Sequence, residues 1–340
     1  MNRQRTTIDM IAKHAGVSIT TVSNVLNNKG RFSRDVEDRV RNAADELSFT
    51  PSALIRSLQK GRTNLIGVRT WPYWYTGAAS INMELLSGIA DGLTEAHLDM
   101  LFYMDVPERD YRKCARVFMD GRVDSLIIAA NLFPAEVLQD LAVSHLPTVV
   151  LYAATVPDGL GAITVDNREG IFLAVEHLAA LGHRRVSYVI ARGSNDLDER
   201  ASAFEEAVRI SGVERGQMLR PEDYNFDPDL VVDFLLQATP APTALIAGDD
   251  NHALALIGAF NRRGVKVPAD LSVIGFDDAP PAAITANLTT IRQPARQIGR
   301  LAVEFAIKIS SGIPASYCVR KMGTTLVVRG TTGPPPKSGR

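Results

Sequence analysis

The sequence predicts an α/β protein: a small all-α head followed by a two-lobed body with parallel sheets. Three observations predict it. Across residues 7–27 apolar positions recur at helical spacing on either side of a glycine. From residue 65 onward, short apolar runs alternate with longer amphipathic ones, the pattern of stacked β-α-β units. Charge is also unevenly divided, with eleven Lys/Arg against six Asp/Glu in the first 62 residues, a net +5 that leaves −6 for the rest of a chain whose total is −1. A basic head on an acidic body suits phosphate contact by the head alone, although a small excess of arginine serves solubility equally well.

In the head, Ile8, Ile11, Ala12 and Ala15 form one apolar helical face, Gly16 interrupts, and Ser18 opens a second helix that turns Val22, Val25 and Leu26 inward. Two short helices joined by a glycine-containing turn form a helix-turn-helix, whose second helix can enter a major groove. Its outward face shows Ile19, Thr20, Ser23, Asn24 and Asn27. Short polar side chains of this kind also suit an ordinary surface helix, so the next segments carry weight. Ser33 caps a third helix whose Val36, Val40, Ala43, Ala44 and Leu47 close a three-helix core. Residues 51–58 form a short apolar segment with no core of their own, ahead of Gly61.

The runs Thr7-Ile8-Asp9-Met10-Ile11-Ala12-Lys13-His14-Ala15-Gly16-Val17-Ser18, Thr21-Val22-Ser23-Asn24-Val25-Leu26-Asn27, Pro51-Ser52-Ala53-Leu54, Arg56-Ser57-Leu58 and Gly61-Arg62-Thr63 resemble, in order and spacing, the lactose/galactose repressor family of bacterial transcription regulators. The resemblance continues to about Val328. It implies a helix-turn-helix DNA-binding domain, a hinge helix, and a two-lobed sensor like type I periplasmic binding proteins. It further implies base contacts in the major groove at Ile19, Thr20 and Asn24, and a minor-groove wedge at Leu58 that kinks the duplex. Asn24 departs from the frequent Arg; Asn pairs with adenine where Arg pairs with guanine, so the operator is expected to differ at that step. Ile55, also placed in the minor groove, departs from the usual Ala. Thr7, Ser18, Thr21, Ser23 and Asn27 suit phosphate contacts that set register. Residues 51–58 are too few to be stably helical alone and should fold when two copies of a homodimer meet on DNA.

The expected domains are 1–50 (reading head), 51–62 (hinge and linker), 63–328 (sensor) and a disordered tail, 329–340, in which three consecutive prolines stand among polar residues. Lobe one takes about 63–161 and 293–324, with strands at 65–68, 100–103, 125–129 and 148–151 and helices near 83–96, 111–119 and 135–143. Lobe two takes about 162–292 and 325–328, with strands at 162–165, 186–190, 244–247 and 272–275 and helices near 168–181, 199–211, 228–237 and 252–263. Crossings are expected near Ala162, Arg292 and Thr325, returning the long helix at 294–311 to lobe one.

In open parallel sheets, ligands gather beyond the carboxyl ends of the strands. Those ends carry Arg69, Trp71, Tyr73, Trp74 and Tyr75 after the first strand, Asp249 and Asp250 after 244–247, and Asp277 and Asp278 after 272–275. Arg200 sits in the opening turn expected for its helix, where the dipole disfavours a cation, so either a cleft ligand or an ion pair with Asp196 or Glu199 should offset it. The resemblance places Arg200, Asp249, Asp277 and Gln293 at effector contacts. Asp249 departs from the family's usual Asn; an ionised carboxylate only accepts, so the effector should offer an additional donor. The aromatic cluster at 71–75 suits stacking on a sugar or covering an interface equally, with Trp71 the preferred ligand contact. Mixed Asp and Arg on the rim favour a neutral saccharide over a multiply phosphorylated effector.

Two cysteines exclude a disulfide framework, and six scattered histidines show no metal-ligand spacing. No nucleophile elbow, phosphate loop or dinucleotide fingerprint is present, so neither catalysis nor a cofactor is expected. No apolar run is long enough to span a membrane, and Met1-Asn2-Arg3-Gln4-Arg5 has no apolar signal core behind it, so the expected compartment is the cytoplasm. The expected function is a sequence-specific repressor that binds operator double-stranded DNA as a homodimer under control of a sugar. The competing readings are a solute-binding protein of similar fold and, with carboxylates facing a sugar, a glycoside hydrolase.

Overall fold

The computed structural model describes residues 6–27, 29–49, 61–70, 81–104, 111–129, 133–153, 155–190, 195–220, 223, 225 and 227–337. The hinge readings at Ile55 and Leu58, and Trp71 with the rest of the 71–75 cluster, lie outside them. The chain divides into two compact units, residues 1–63 and 64–340.

The first unit holds α1 (Ile8–Ala15), α2 (Ile19–Leu26) and α3 (Arg34–Glu46). Each begins on a hydroxyl cap: Thr7 accepts from the Met10 amide, Ser18 from Thr21 and Ser33 from Val36. Gly16 ends α1 at φ 63°, a left-handed conformation that costs glycine nothing. Ile11, Val22 and Val40, one from each helix, are fully buried at the centre.

The second unit carries two six-stranded sheets. The first contains β1 (Leu65–Thr70), β2 (Asp99–Met104), β3 (Ser125–Ile128), β4 (Thr148–Leu151) and β5 (Gly161–Val165), with α4 (Ile81–Ala96), α5 (Tyr111–Phe118) and α6 (Ala135–Ala142) between strands. The chain then enters the second sheet through α7 (Asn167–Ala180), β6 (Arg185–Val189), α8 (Asn195–Ser211), β7 (Glu214–Leu219), α9 (Pro228–Leu236), β8 (Ala244–Ala247), α10 (Asp250–Arg262), β9 (Ser272–Asp277), the short α11 (Ala282–Thr285) and β10 (Thr290–Arg292). It returns through α12 (Ala295–Ser310) and β11 (Val319–Met322), and crosses once more to β12 (Thr325–Val327).

The sheet orders are β11-β5-β4-β3-β1-β2 and β12-β10-β9-β8-β6-β7. All pairings are parallel except β12 against β10, which runs antiparallel and departs from the all-parallel expectation. Each sheet starts from an interior strand and reverses direction there, which puts a switch point, and hence a ligand crevice, at its carboxyl ends. In lobe one, α4 and α12 pack with almost no side chain between them: a Cβ on Gly88 would lie 2.0 Å from the Arg296 carbonyl oxygen, and one on Gly299 would lie 2.2 Å from that of Leu85.

Two boundaries differ from expectation. The first crossing follows Val165 rather than Ala162, because β5 is hydrogen-bonded between β4 and β11 of the first sheet. The tail is not disordered from residue 329. Thr331 is buried, its hydroxyl donates to the Val273 carbonyl at 2.7 Å, and its own carbonyl accepts from the Val273 amide at 2.8 Å. Gly333 exchanges hydrogen bonds with the Ser272 hydroxyl, and its carbonyl lies 2.9 Å from Nε2 of His183. These bonds satisfy backbone along β9 that water would otherwise have to solvate.

Candidate functional site

In the first unit, α2 turns one face to solvent. Ile19 is 53% exposed, an unusual position for a large aliphatic side chain in so small a core, and Thr20 beside it is exposed. Asn24 and Ser23, a turn further on, are half-buried. Several residues expected on phosphates already organise the helix ends: the Ser18 hydroxyl lies 2.8 Å from that of Thr21, and the Asn27 side-chain amide donates to the Ser23 carbonyl at 2.7 Å. Thr7 caps α1 in the same way. The first-turn amides of α1 and α2 thus sit among hydroxyls on exposed ends, a setting that attracts anions.

In the second unit, the carboxyl ends of β8, β9 and β10 bring Asp249, Asp277 and Gln293 together around Arg200. Arg200 is 4% exposed and is the sixth residue of α8, which begins at Asn195. It is therefore past the opening turn, and the helix-dipole argument does not apply to it. Its position is instead set by specific donors and acceptors: Nε donates to Asn167 Oδ1 at 2.8 Å, and Nη1 donates to the Gly248 carbonyl at 2.7 Å and lies 3.8 Å from Asp277 Oδ1. The guanidinium also stacks on Phe276, 3.7 Å from the ring centroid.

Asp277 ends β9 at φ 129° and Asp278 follows at φ 53°, two consecutive non-glycine residues in conformations that L side chains rarely adopt. The strain is held from several sides. Gln293 donates its side-chain amide to Asp277 Oδ1 at 2.5 Å and its backbone amide to the Asp277 carbonyl. Arg292 and Arg329 each reach Asp278 at 2.6 Å. Behind the turn, the buried Asp250 accepts from Thr290 at 2.6 Å and from the Ala279 amide at 2.9 Å.

Burial pushes the Asp277 carboxyl well above its ordinary range; Arg200 opposes this, and Asp250 and Asp249 add to it. Asp250 is raised to about 7, mainly by burial. Asp249 behaves oppositely: burial would raise it, but its bond to His252 holds it below the usual carboxylate range. Its Oδ1 caps α10 by accepting from the His252 amide and lies 2.8 Å from that residue's Nδ1. His252 is correspondingly raised, the pairing with Asp249 outweighing its burial.

Lobe one contributes Tyr152, the residue after β4, at φ 56°. Its hydroxyl is buried without a hydrogen-bond partner among the described residues, and its pKa is raised by burial and then by Asp277 and Asp196 of the other lobe. Asp196, in the first turn of α8, is 2% exposed, with neither oxygen in hydrogen-bonding geometry to a described residue. Tyr152, Asn167 and Asp196 were not among the site residues predicted from sequence. The signal for Tyr152 was the carboxyl-end rule applied to β4; for Asp196 it was an acid in the opening turn of the helix that bears Arg200.

Three comparisons bear on this arrangement. Residues 7–52 match the family model described as bacterial regulatory proteins, lacI family, and residues 175–332 match the periplasmic binding protein-like domain. The chain is 30% identical over 341 residues to the HTH-type transcriptional regulator DegA of Bacillus subtilis, covering 97% of this chain and 99% of that protein. It is 29% identical over 335 residues to the ribose operon repressor of Halalkalibacterium halodurans, covering 96% and 97%. In fold it resembles the solved lac repressor dimer bound to operator and the anti-inducer ONPF, with a TM-score of 0.83 at 24% identity over 97% of this chain and 100% of that one. With the helix-turn-helix head, the two-lobed body and a relative matched along nearly its whole length, the chain belongs to the LacI family of bacterial regulatory proteins.

Proposed function

We propose that this protein is a cytoplasmic, homodimeric repressor whose affinity for an operator is set by a small molecule, a sugar in the leading reading, bound between the two lobes. The observation that carries the reading is the junction of lobes at Arg200, Asp277, Gln293 and Tyr152, where Gln293 Oε1 and the Tyr152 hydroxyl are buried with no partner among the described residues. Such atoms are costly to leave unsatisfied, so a ligand that satisfies them favours the closed arrangement of the lobes.

Ile19, Thr20 and Asn24 read base edges, and Thr7, Ser18, Thr21, Ser23 and Asn27 set register on phosphates. Leu58, flanked by Ile55, wedges the minor groove at the operator centre. Dimerisation is supported by apolar side chains exposed on both lobes: Met83, Phe102 and Met104 on one, Leu230, Phe234 and Ile284 on the other. Closure of the lobes alters the spacing of the two copies and so decides whether their connectors can pair on DNA. A differential affinity of a few kcal/mol between the two states suffices for such a switch, on the order of that needed to reverse a two-state equilibrium.

The test is selection of a binding site from random duplex DNA, followed by gel shift of the enriched sequence. The expected result is a sequence-dependent complex, weakened by Leu58→Ala and modulated by a ligand whose effect is lost in Asp277→Ala. Binding that is indifferent to sequence and lost with modest salt overturns the reading.

A further inference from the structure

The cleft holds one more buried carboxylate than its own donors serve. Asp249 has His252, and Asp277 has the Gln293 amide with Arg200 beyond it. Asp196 has neither. It is 2% exposed, and no donor reaches either oxygen in hydrogen-bonding geometry among the described residues. Its neighbours are engaged elsewhere: the Asn167 amide donates to Glu199 Oε2 at 2.8 Å, and Arg200 Nε and Nη1 donate to Asn167 and Gly248. Three further atoms of the same cleft are buried and unpartnered among the described residues, Gln293 Oε1 and the Tyr152 and Thr164 hydroxyls. Asp277 bonds Gln293 directly, Tyr152 senses both Asp277 and Asp196, and Thr164 lies at Asp196, so these orphans share one neighbourhood.

The orphan atoms are mostly acceptors. Two carboxylate oxygens and an amide oxygen can only accept; the Tyr152 and Thr164 hydroxyls can also donate. A ligand that completes this set must bring donors, and one of them must face a carboxylate to which no cation is hydrogen-bonded. A sugar acid or phosphate ester would place an anion beside Asp196 and Asp249, where the Nε and Nη1 of Arg200 are already bonded. A metal ion is not the missing cation, since no group of His, Cys, Asp or Glu among the described residues is arranged to hold one. An ammonium group supplies both needs, three N–H donors and a positive charge.

We propose that the effector is an amine-bearing polyol of the amino-sugar class, with its ammonium on Asp196 and its hydroxyls on Gln293 Oε1 and Tyr152. This rests on the cleft being the effector site. Asp196 is raised to about 6, chiefly by burial and further by Glu199, against Arg200 and the neighbouring Asn167 and Thr164 side chains, which lower it, so it is ionised at neutral pH and available to an ammonium ion.

The test measures thermal shift and calorimetric affinity of the full chain at neutral pH. The probes are glucosamine, galactosamine and mannosamine beside their parent hexoses, their N-acetyl forms and the corresponding uronic acids. An aminated member is expected to bind about tenfold or more tightly than its parent, as a charged hydrogen bond implies. N-acetylation should abolish the advantage, and so should Asp196→Asn, which also raises the melting temperature of the ligand-free protein by removing an unpaired buried charge. The proposal is overturned if no aminated member binds, if parent hexoses or uronic acids bind as well, or if Asp196→Asn leaves the ligand-free melting temperature unchanged or lower. A neutral or acidic sugar that binds and is lost in Arg200→Ala defeats the amine while keeping the cleft. Sugar binding that survives both Arg200→Ala and Asp277→Ala defeats the cleft itself.

Discussion

The two lobes share a strand order and differ in what they place at their switch points. In lobe two, the carboxyl ends of β8, β9 and β10 carry Asp249, Asp277 and Gln293 around the buried Arg200, and the turn at Asp277 and Asp278 is strained. In lobe one, among the described residues, the matching rim contributes the Tyr152 hydroxyl, while Arg69 at the end of β1 is buried against the Phe133 ring. The internal packing differs as well. Lobe one is held by two helices in backbone contact through Gly88 and Gly299, lobe two by apolar side chains such as Ile171, Phe204 and Phe276. A shared topology therefore fixes where a ligand can lie; the charged jaw and the close-packed frame are separate properties of the two halves.

Four substitutions test that division. The largest effect should come from the jaw: Arg200→Met leaves Asp277 buried without its cation and is expected to destabilise the second unit by about 3–5 kcal/mol in urea denaturation. A loss below about 1 kcal/mol would mean that the cluster tolerates the charge without Arg200. In the frame, Gly299→Ala drives a methyl into the Leu85 carbonyl, 2.2 Å away, and should cost about 3 kcal/mol while leaving ligand affinity unchanged. Reduced ligand affinity at equal folding would couple frame and jaw.

The third test is one of pH. Asp196 rises from 3.8 to about 6 on folding. An acid with a raised folded pKa contributes no penalty while it is protonated in both states, below about pH 4. The penalty grows as pH climbs to the folded value, reaching about 3 kcal/mol. The stability of wild type relative to Asp196→Asn should therefore fall between pH 4 and 7 and then level off; a flat difference would show that the carboxylate is not carrying an unmet charge. The smallest effect lies outside both lobes. Ser18→Ala removes the cap of α2 and should cost the head about 1 kcal/mol, seen as a lower melting temperature of that unit and weaker DNA binding.

Local patterns made much of this legible. The spacing of Ile11, Val22 and Val40 identified the head's core, and the strand-end rule pointed to Asp249 and Asp277, which the structure brings together with Arg200 and Gln293. What failed was nonlocal. An apolar strand such as β5 reads the same whichever sheet accepts it, so the first crossing was set too early. Prolines in the tail suggest disorder, yet they begin at residue 334, and Thr331, ahead of them, has a hydroxyl and a carbonyl that bond the Val273 backbone. Arg200 reads from sequence as lying in an opening turn near residue 199, whereas its helix begins at Asn195. Spacing offers Asp196 as its counter-ion; that it is instead buried with no cation hydrogen-bonded to it depends on where Asn167 and Gly248 direct the guanidinium, which no spacing reveals.

The C-terminal strap has a practical corollary. Arg329 grips Asp278 and the Leu288 carbonyl, and Thr331 rides along β9, so residues 329–333 are built onto the strand whose end forms the proposed ligand site. Trimming the protein after Val328 would therefore loosen the strained corner at Asp277, blunting its response to a metabolite even in a molecule that still recognises its DNA.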